Sequence, residues 1–185
     1  AGRSITSGSS NSIVGAHAGD AITSGSHNAL LGMVAGTNLT TSSYNVGIGN
    51  YALHDATTGQ INHAIGYQSM MKLTTGSNNV AMGYQSGYWA HASSSNVFIG
   101  HGTGQGDTDS GSPSKHGNVY IGYTAGQKSR TTSDNVGIGR EALWINQGGT
   151  GNVGIGFKSL RNATSNKNTA MGYEAGTSTT SGGVV

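Results

Sequence analysis

A parallel β-solenoid, all-β and built of about ten seventeen-residue coils, is the fold class this sequence predicts, and three observations carry it. The pentapeptide N-V-G-I-G stands at 45–49, 135–139 and 152–156, with near copies starting at 79, 96, 118 and 168. Counted from the asparagine, units begin at Asn11, Asn28, Asn45, Asn62, Asn79, Asn96, Asn118, Asn135, Asn152 and Asn168, with spacings of 17 five times, then 22, 17, 17 and 16. The fourth slot of each unit is apolar all ten times, from Val14 and Leu31 through Ile99 to Met171. Seventeen residues is too short for a helix pair and suits one solenoid coil, with two or three short strands joined by tight turns.

The slots follow in order. Asparagine at slot 1 fits either an amide ladder between stacked coils or a left-handed turn residue. Slot 2 is valine six times, which suits a pleated ladder. Alternation sends slots 2 and 4 to one face, expected to be the coil interior. Slot 5 is glycine in every unit and reads as a corner with positive φ or close backbone approach. Slot 8 is always Ala, Ser or Thr, and slot 9 is Gly, Leu or Met, which reads as a narrow second wall. The segments T-T-S-G, T-T-G-S and T-T-S-D supply the turn back to the next asparagine. Ala1, Gly2 and Ile5 fit slots 8, 9 and 12, so the chain is expected to start within a repeat, as a fragment of something longer does.

Slot 3 points away from slots 2 and 4, and it carries no charge: Ile13, Leu30, Ala64, Ala81, Phe98, Tyr120 and Ala170, with glycine at the other three positions. A strand apolar on both faces is covered on both faces. These seven residues are therefore expected to pack between chains.

The phrases NNVAMG (78–83), SNVFIG (95–100), DNVGIG (134–139) and KNTAMG (167–172) resemble the head repeats of trimeric autotransporter adhesins of the YadA type. The stretch TTGSNNVAMGYQSG, residues 74–87, is similar to repeats of bacteriophage tail fibres. The resemblance implies a homotrimer of left-handed parallel β-rolls and an extracellular element for adhesion or fibre building. The 17-residue period departs from the 14 usual in adhesin heads, which bears on the cross-section. The G-Y-Q-S phrasing favours the tail-fibre side, with the cell-surface adhesin head as the alternative. Either way the expected partners are sister chains and a cell-surface glycan or protein receptor.

Composition excludes several classes. Glycine is 33 of 185 residues, charged residues are 9%, cysteine is absent and the net charge is +2. No Lys/Arg cluster shows along the sequence, so nucleic acid is not an expected partner. No apolar run approaches the roughly 18–20 residues of a membrane span. No nucleophile elbow occurs, and His17, His27, His54, His63, His91, His101 and His116 sit at scattered slots without evident acidic partners. Glu141 and Glu174 share slot 7 two coils apart, which is no glycosidase pair. The expectation is a non-enzyme without cofactor or metal.

Candidate contact residues come from departures from the repeat. The five-residue insertion between Asn96 and Asn118 makes a loop at about 105–117. Asp107 and Asp109 there start like a calcium loop but lack its remaining ligands, and the loop, with His116 at its end, is a natural contact point. Tyr88, Trp89 and Trp144, at slots 10 and 11, are expected to be exposed for glycan contact. Slot 6 collects Tyr67, Tyr84, His101, Tyr123, Phe157 and Tyr173, expected to stack one coil apart. A threonine column at slot 13 (Thr23, Thr40, Thr57, Thr74, Thr108, Thr164, Thr180), interrupted by His91, Arg130 and Gln147, keeps an ice-binding solenoid as a remote alternative.

Overall fold

The computed structural model describes residues 1–106 and 114–178. Ten three-residue strands form one parallel sheet: β1 Ser12–Val14, β2 Ala29–Leu31, β3 Val46–Ile48, β4 His63–Ile65, β5 Val80–Met82, β6 Val97–Ile99, β7 Val119–Ile121, β8 Val136–Ile138, β9 Val153–Ile155 and β10 Thr169–Met171. They pair strictly in sequence order, slot against identical slot. Each coil thus adds one strand to a parallel β-solenoid, and the described residues contain no helix.

Each coil holds one strand rather than the expected two or three, for a stereochemical reason. Slots 7, 9 and 17 are left-handed, with φ between 47° and 67° throughout, which interrupts strand geometry on the other sides. Those sides still bond to their equivalents one coil on, as in Gly19 N–H to the Ala35 carbonyl (3.0 Å) and Thr57 N–H to the Thr74 carbonyl (2.9 Å). Leu53, Met70, Leu143 and Leu160 hold φ of 47–54° at slot 9. For such residues the conformation costs on the order of 1–2 kcal/mol each, which the surrounding bonds must over-determine.

The asparagine column settles the two readings of slot 1. Each Oδ1 accepts the backbone N–H of the next asparagine at 2.9–3.2 Å, in unbroken succession from Asn11 to Asn168. Most also accept the next asparagine's Nδ2, at 2.9–3.2 Å. Asparagine itself is not left-handed; that conformation falls on the residue before it, such as Tyr44 or Asp134. At slot 5, both reasons for glycine hold. Gly66 and Gly83 have φ of 133° and 132°, and a Cβ on either would lie 2.5 Å from the next coil's glycine carbonyl oxygen.

The two strand faces are reversed from the sequence expectation. Slot 3 points inward: Leu30, Ala64, Ala81, Phe98 and Tyr120 are buried, Ala170 nearly so, and Ile13 packs against the same core. These residues fill their own chain's interior and are not inter-chain contacts. Slots 2 and 4 point outward, with Val14 62%, Leu31 50% and Met82 41% exposed. The interior is closed by volume matching between slots 3 and 9. Ile13, Leu30, Phe98 and Tyr120 face Gly19, Gly36, Gly104 and Gly126, while Gly47, Ala64, Gly137 and Gly154 face Leu53, Met70, Leu143 and Leu160. A Cβ at Gly36 would meet Leu39 at 2.7 Å and Leu30 at 2.9 Å, and one at Gly104 or Gly126 would enter the ring of Phe98 or Tyr120. Ala81 and Gly87 are both small, and Phe98 from the next coil fills that gap, 2.8 Å from a Cβ at Gly87.

Substitutions on adjacent residues separate the faces. Phe98→Ala is expected to lower the unfolding free energy by about 3–5 kcal/mol. Ile99→Ala, on the half-exposed face, is expected to lower it by less than about 1 kcal/mol. Urea titration of both variants checks this, and the reverse order would return slot 4 to the core.

Candidate functional surfaces

The first surface is the outward strand face. Its slot-4 column is aliphatic or methionine in every coil, and slot 2 adds valine from Val46 through Val153 with His63 as a break. No Lys, Arg, Asp or Glu stands in either column. Isolated exposed apolar side chains are ordinary, but a continuous apolar stripe marks an interaction surface.

Beyond the glycine corner, the slot-6 rings from Tyr67 to Tyr123 stack as expected, whereas Phe157 and Tyr173, past Arg140, are tilted by 40°. Ring centroids are 5.6 Å apart for Tyr67–Tyr84, 4.9 Å for Tyr84–His101 and 5.1 Å for His101–Tyr123, with interplanar angles of 13–21°. Tyr67, Tyr84 and Tyr123 stay about half exposed. Their faces are turned to one another, so the column presents ring edges and hydroxyls outward. Parallel to it runs a glutamine ladder that column counting misses. Gln85 Nε2 donates to Gln68 Oε1 (2.7 Å), Gln105 to Gln85 (2.9 Å) and Gln127 to Gln105 (2.8 Å), and Trp144 Nε1 closes the series on Gln127 Oε1 (2.9 Å). The ladder begins at slot 7 and continues at slot 10, so no single column of the repeat contains it.

Tyr88 and Trp89 are half-buried, with ring centroids 5.0 Å apart in an edge arrangement, and Trp89 lies 5.9 Å from His91. Beside them, Asp55 accepts from Lys72 Nζ at 2.8 Å and pairs with His54 Nδ1 at 2.5 Å. Among the described residues two histidines thus have acidic partners the sequence did not reveal, the other being His17 with Asp20 at 2.9 Å. Burial pushes the Asp55 carboxyl up, but its bonds to Lys72 and His54 outweigh that and hold it below the usual carboxylate range. Burial, then the charge of Lys72, holds His91 below the ordinary imidazole value. Trp144 lies apart from this group, among cations on later coils. His116 is exposed and joins two parallel bridges, to Ser94 and Ser133. Asp107 and Asp109 lie outside the described residues.

Four threonines of the slot-13 column are engaged in the stack, while Thr108 and Thr180 lie outside the described residues. The hydroxyls of Thr23, Thr40, Thr57 and Thr74 donate to backbone carbonyls one coil on at 3.2–3.4 Å. Those hydroxyl protons are committed within the protein.

The enlarged coil carries an unusual group. Lys115 occupies a slot held elsewhere by Gly, Ser or Thr and is fully buried. Its Nζ donates to the Gly104 carbonyl at 2.7 Å and lies 5.7 Å from the Phe98 ring centroid. Burial pulls its ammonium down to about 7.

Fold and surfaces together define a parallel β-solenoid repeat protein with an apolar outward strand face. No family model, curated protein or solved structure matches the chain.

Lys115 sets a pH dependence. Between pH 7 and its ordinary 10.5 the unfolded chain binds this proton and the folded chain does not, so stability rises with pH across that window and falls as pH drops toward 7. Tyr120, raised by burial, opposes the trend once tyrosine ionises in the unfolded chain. Unfolding free energy is therefore expected to rise on the order of 3 kcal/mol from about pH 7 to about pH 9.5. Lys115→Met is expected to flatten that slope and to be the more stable protein at pH 7. Denaturant titrations at both pH values check this, and an unchanged slope in the variant would contradict it.

Proposed function

We propose that the chain is a structural and host-attachment segment of a trimeric extracellular fibre, of the bacteriophage tail-fibre kind. The observation that carries this reading is the outward strand face, a stripe without Lys, Arg, Asp or Glu that crosses all ten coils of a rod whose interior is already filled by slots 3 and 9. Water-facing β-surfaces alternate polar residues outward, and this one does not. Slots 2 and 4 take over the inter-chain role that slot 3 was expected to play. The resemblance to tail-fibre and adhesin-head repeats supports three as the number of chains. Function is mechanical and multivalent: lateral contacts to a cell-surface receptor, each weak, are multiplied by three copies. No catalytic step, cofactor or metal enters this reading.

Sedimentation equilibrium tests it. The purified chain is expected to sediment at three times its 18.6 kDa mass. Ile48→Lys with Ile138→Lys places a charge at two points of the stripe and is expected to yield a monomer with an unchanged far-ultraviolet circular dichroism spectrum. A monomeric parent chain, or a trimer indifferent to both lysines, would refute the stripe as the seam.

A further inference from the structure

Charge is distributed unevenly along the rod. Residues 128–174 hold six basic and three acidic residues, whereas residues 1–127 hold three basic and four acidic. Four of the six basic residues gather around two rings. Lys128 Nζ lies 4.7 Å and Arg161 Cζ 4.1 Å from the Trp144 ring centroid, one from the coil before and one from the coil after. Arg140 Cζ lies 4.4 Å and Lys158 Nζ 4.8 Å from the Phe157 centroid, with Tyr173 at 4.9 Å from the following coil. Glu141 bonds Arg161 Nε at 2.7 Å, and Glu174 pairs loosely with Lys158 at 3.8 Å. Lys128 and Arg140 are exposed and have no acidic partner among the described residues.

We propose that this face, formed by Lys128, Arg140, Trp144, Phe157, Lys158 and Arg161, binds an acidic polysaccharide through its carboxylates. Resting on the rings fixes the long side chains, so less rotamer freedom remains to be lost when an anion arrives. The cations recur on three successive coils, and the coil pitch of roughly 4.8 Å is close to the length of one pyranose unit. A polymer lying along the rod therefore meets a cation at each step, and several screened contacts sum to a useful affinity. The same geometry disfavours single-stranded nucleic acid. Base stacking needs a free ring face, and those of Trp144 and Phe157 are flanked by cations and by Tyr173. The neutral Asp55–Lys72 pair near Trp89 has no comparable excess of charge.

The inference rests on the attachment reading for its purpose, but its test is direct binding of the whole chain to immobilised polygalacturonate. Binding is expected at about 0.05 M NaCl and lost by about 0.5 M. Lys128→Gln with Arg140→Gln is expected to weaken it by about tenfold or more. The charge-keeping pair Lys128→Arg with Arg140→Lys is expected to retain it, as is Lys72→Gln on a distant coil. Equal binding by the glutamine pair, equal binding to neutral dextran, or tighter binding to single-stranded DNA overturns the proposal. A monomer that still holds polygalacturonate removes the fibre reading and leaves this one standing; a trimer that ignores it does the reverse.

Discussion

The stack depends on one buried column of amides. An asparagine at slot 1 takes the next coil's backbone N–H on its Oδ1 and donates its own Nδ2 to a carbonyl at the far end of the coil, as Asn62 does to Gly76 at 2.9 Å and Asn135 to Gly149 at 2.9 Å. Each side chain therefore fixes two places at once, the start of the strand and the closure of the turn. A net hydrogen bond is worth only about 1 kcal/mol, but an orphaned buried amide costs more, so register is enforced by what a slip would leave unpaired. The two irregular repeats show this. Twenty-two residues separate Asn96 from Asn118 and sixteen separate Asn152 from Asn168, yet the amide bonds across both steps are 3.0 and 2.9 Å. Length varies on the turn side, and the column does not move.

With register fixed, the interior is solved coil by coil. A large slot 3 goes with glycine at slot 9, and a small slot 3 with leucine or methionine. At Ala81 and Gly87, where both are small, Phe98 of the next coil reaches across. This local matching tolerates Phe98 and Tyr120, 6.0 Å apart and stacked, inside a core otherwise made mainly of Ala, Leu and Ile. It also explains leucine in a left-handed conformation: the backbone shape belongs to the slot, and the side chain is chosen to fill what slot 3 leaves empty.

Much of the fold is legible in the sequence because a solenoid writes its coil length as a period. The asparagine column, the glycine corner and the slot-6 ring stack all follow from fixed spacing. The inward face is not given by alternation, which separates two faces without ordering them. Slot 4, apolar in all ten units, suggests the core, and slot 3, uncharged but on the opposite face, suggests an inter-chain contact. The signal that could have decided it was the anticorrelation of slots 3 and 9, visible in Leu30 with Gly36 against Gly47 with Leu53. The surfaces were less legible. Arg140 lies over Phe157 and Arg161 over Trp144, each on a ring one coil away, and Trp144 was expected as an open sugar platform although cations flank its ring.

The rod thus separates its tasks. An amide column and a volume-matched core hold the coil, and the apolar strand face and the charged or aromatic departures from the repeat, Lys115 apart, remain on its outside. Amide hydrogen exchange reaches the central element most directly. The account predicts that backbone N–H groups of Asn45 through Asn152 exchange together, only through global unfolding. Fast or coil-by-coil independent exchange along the asparagine column would contradict it.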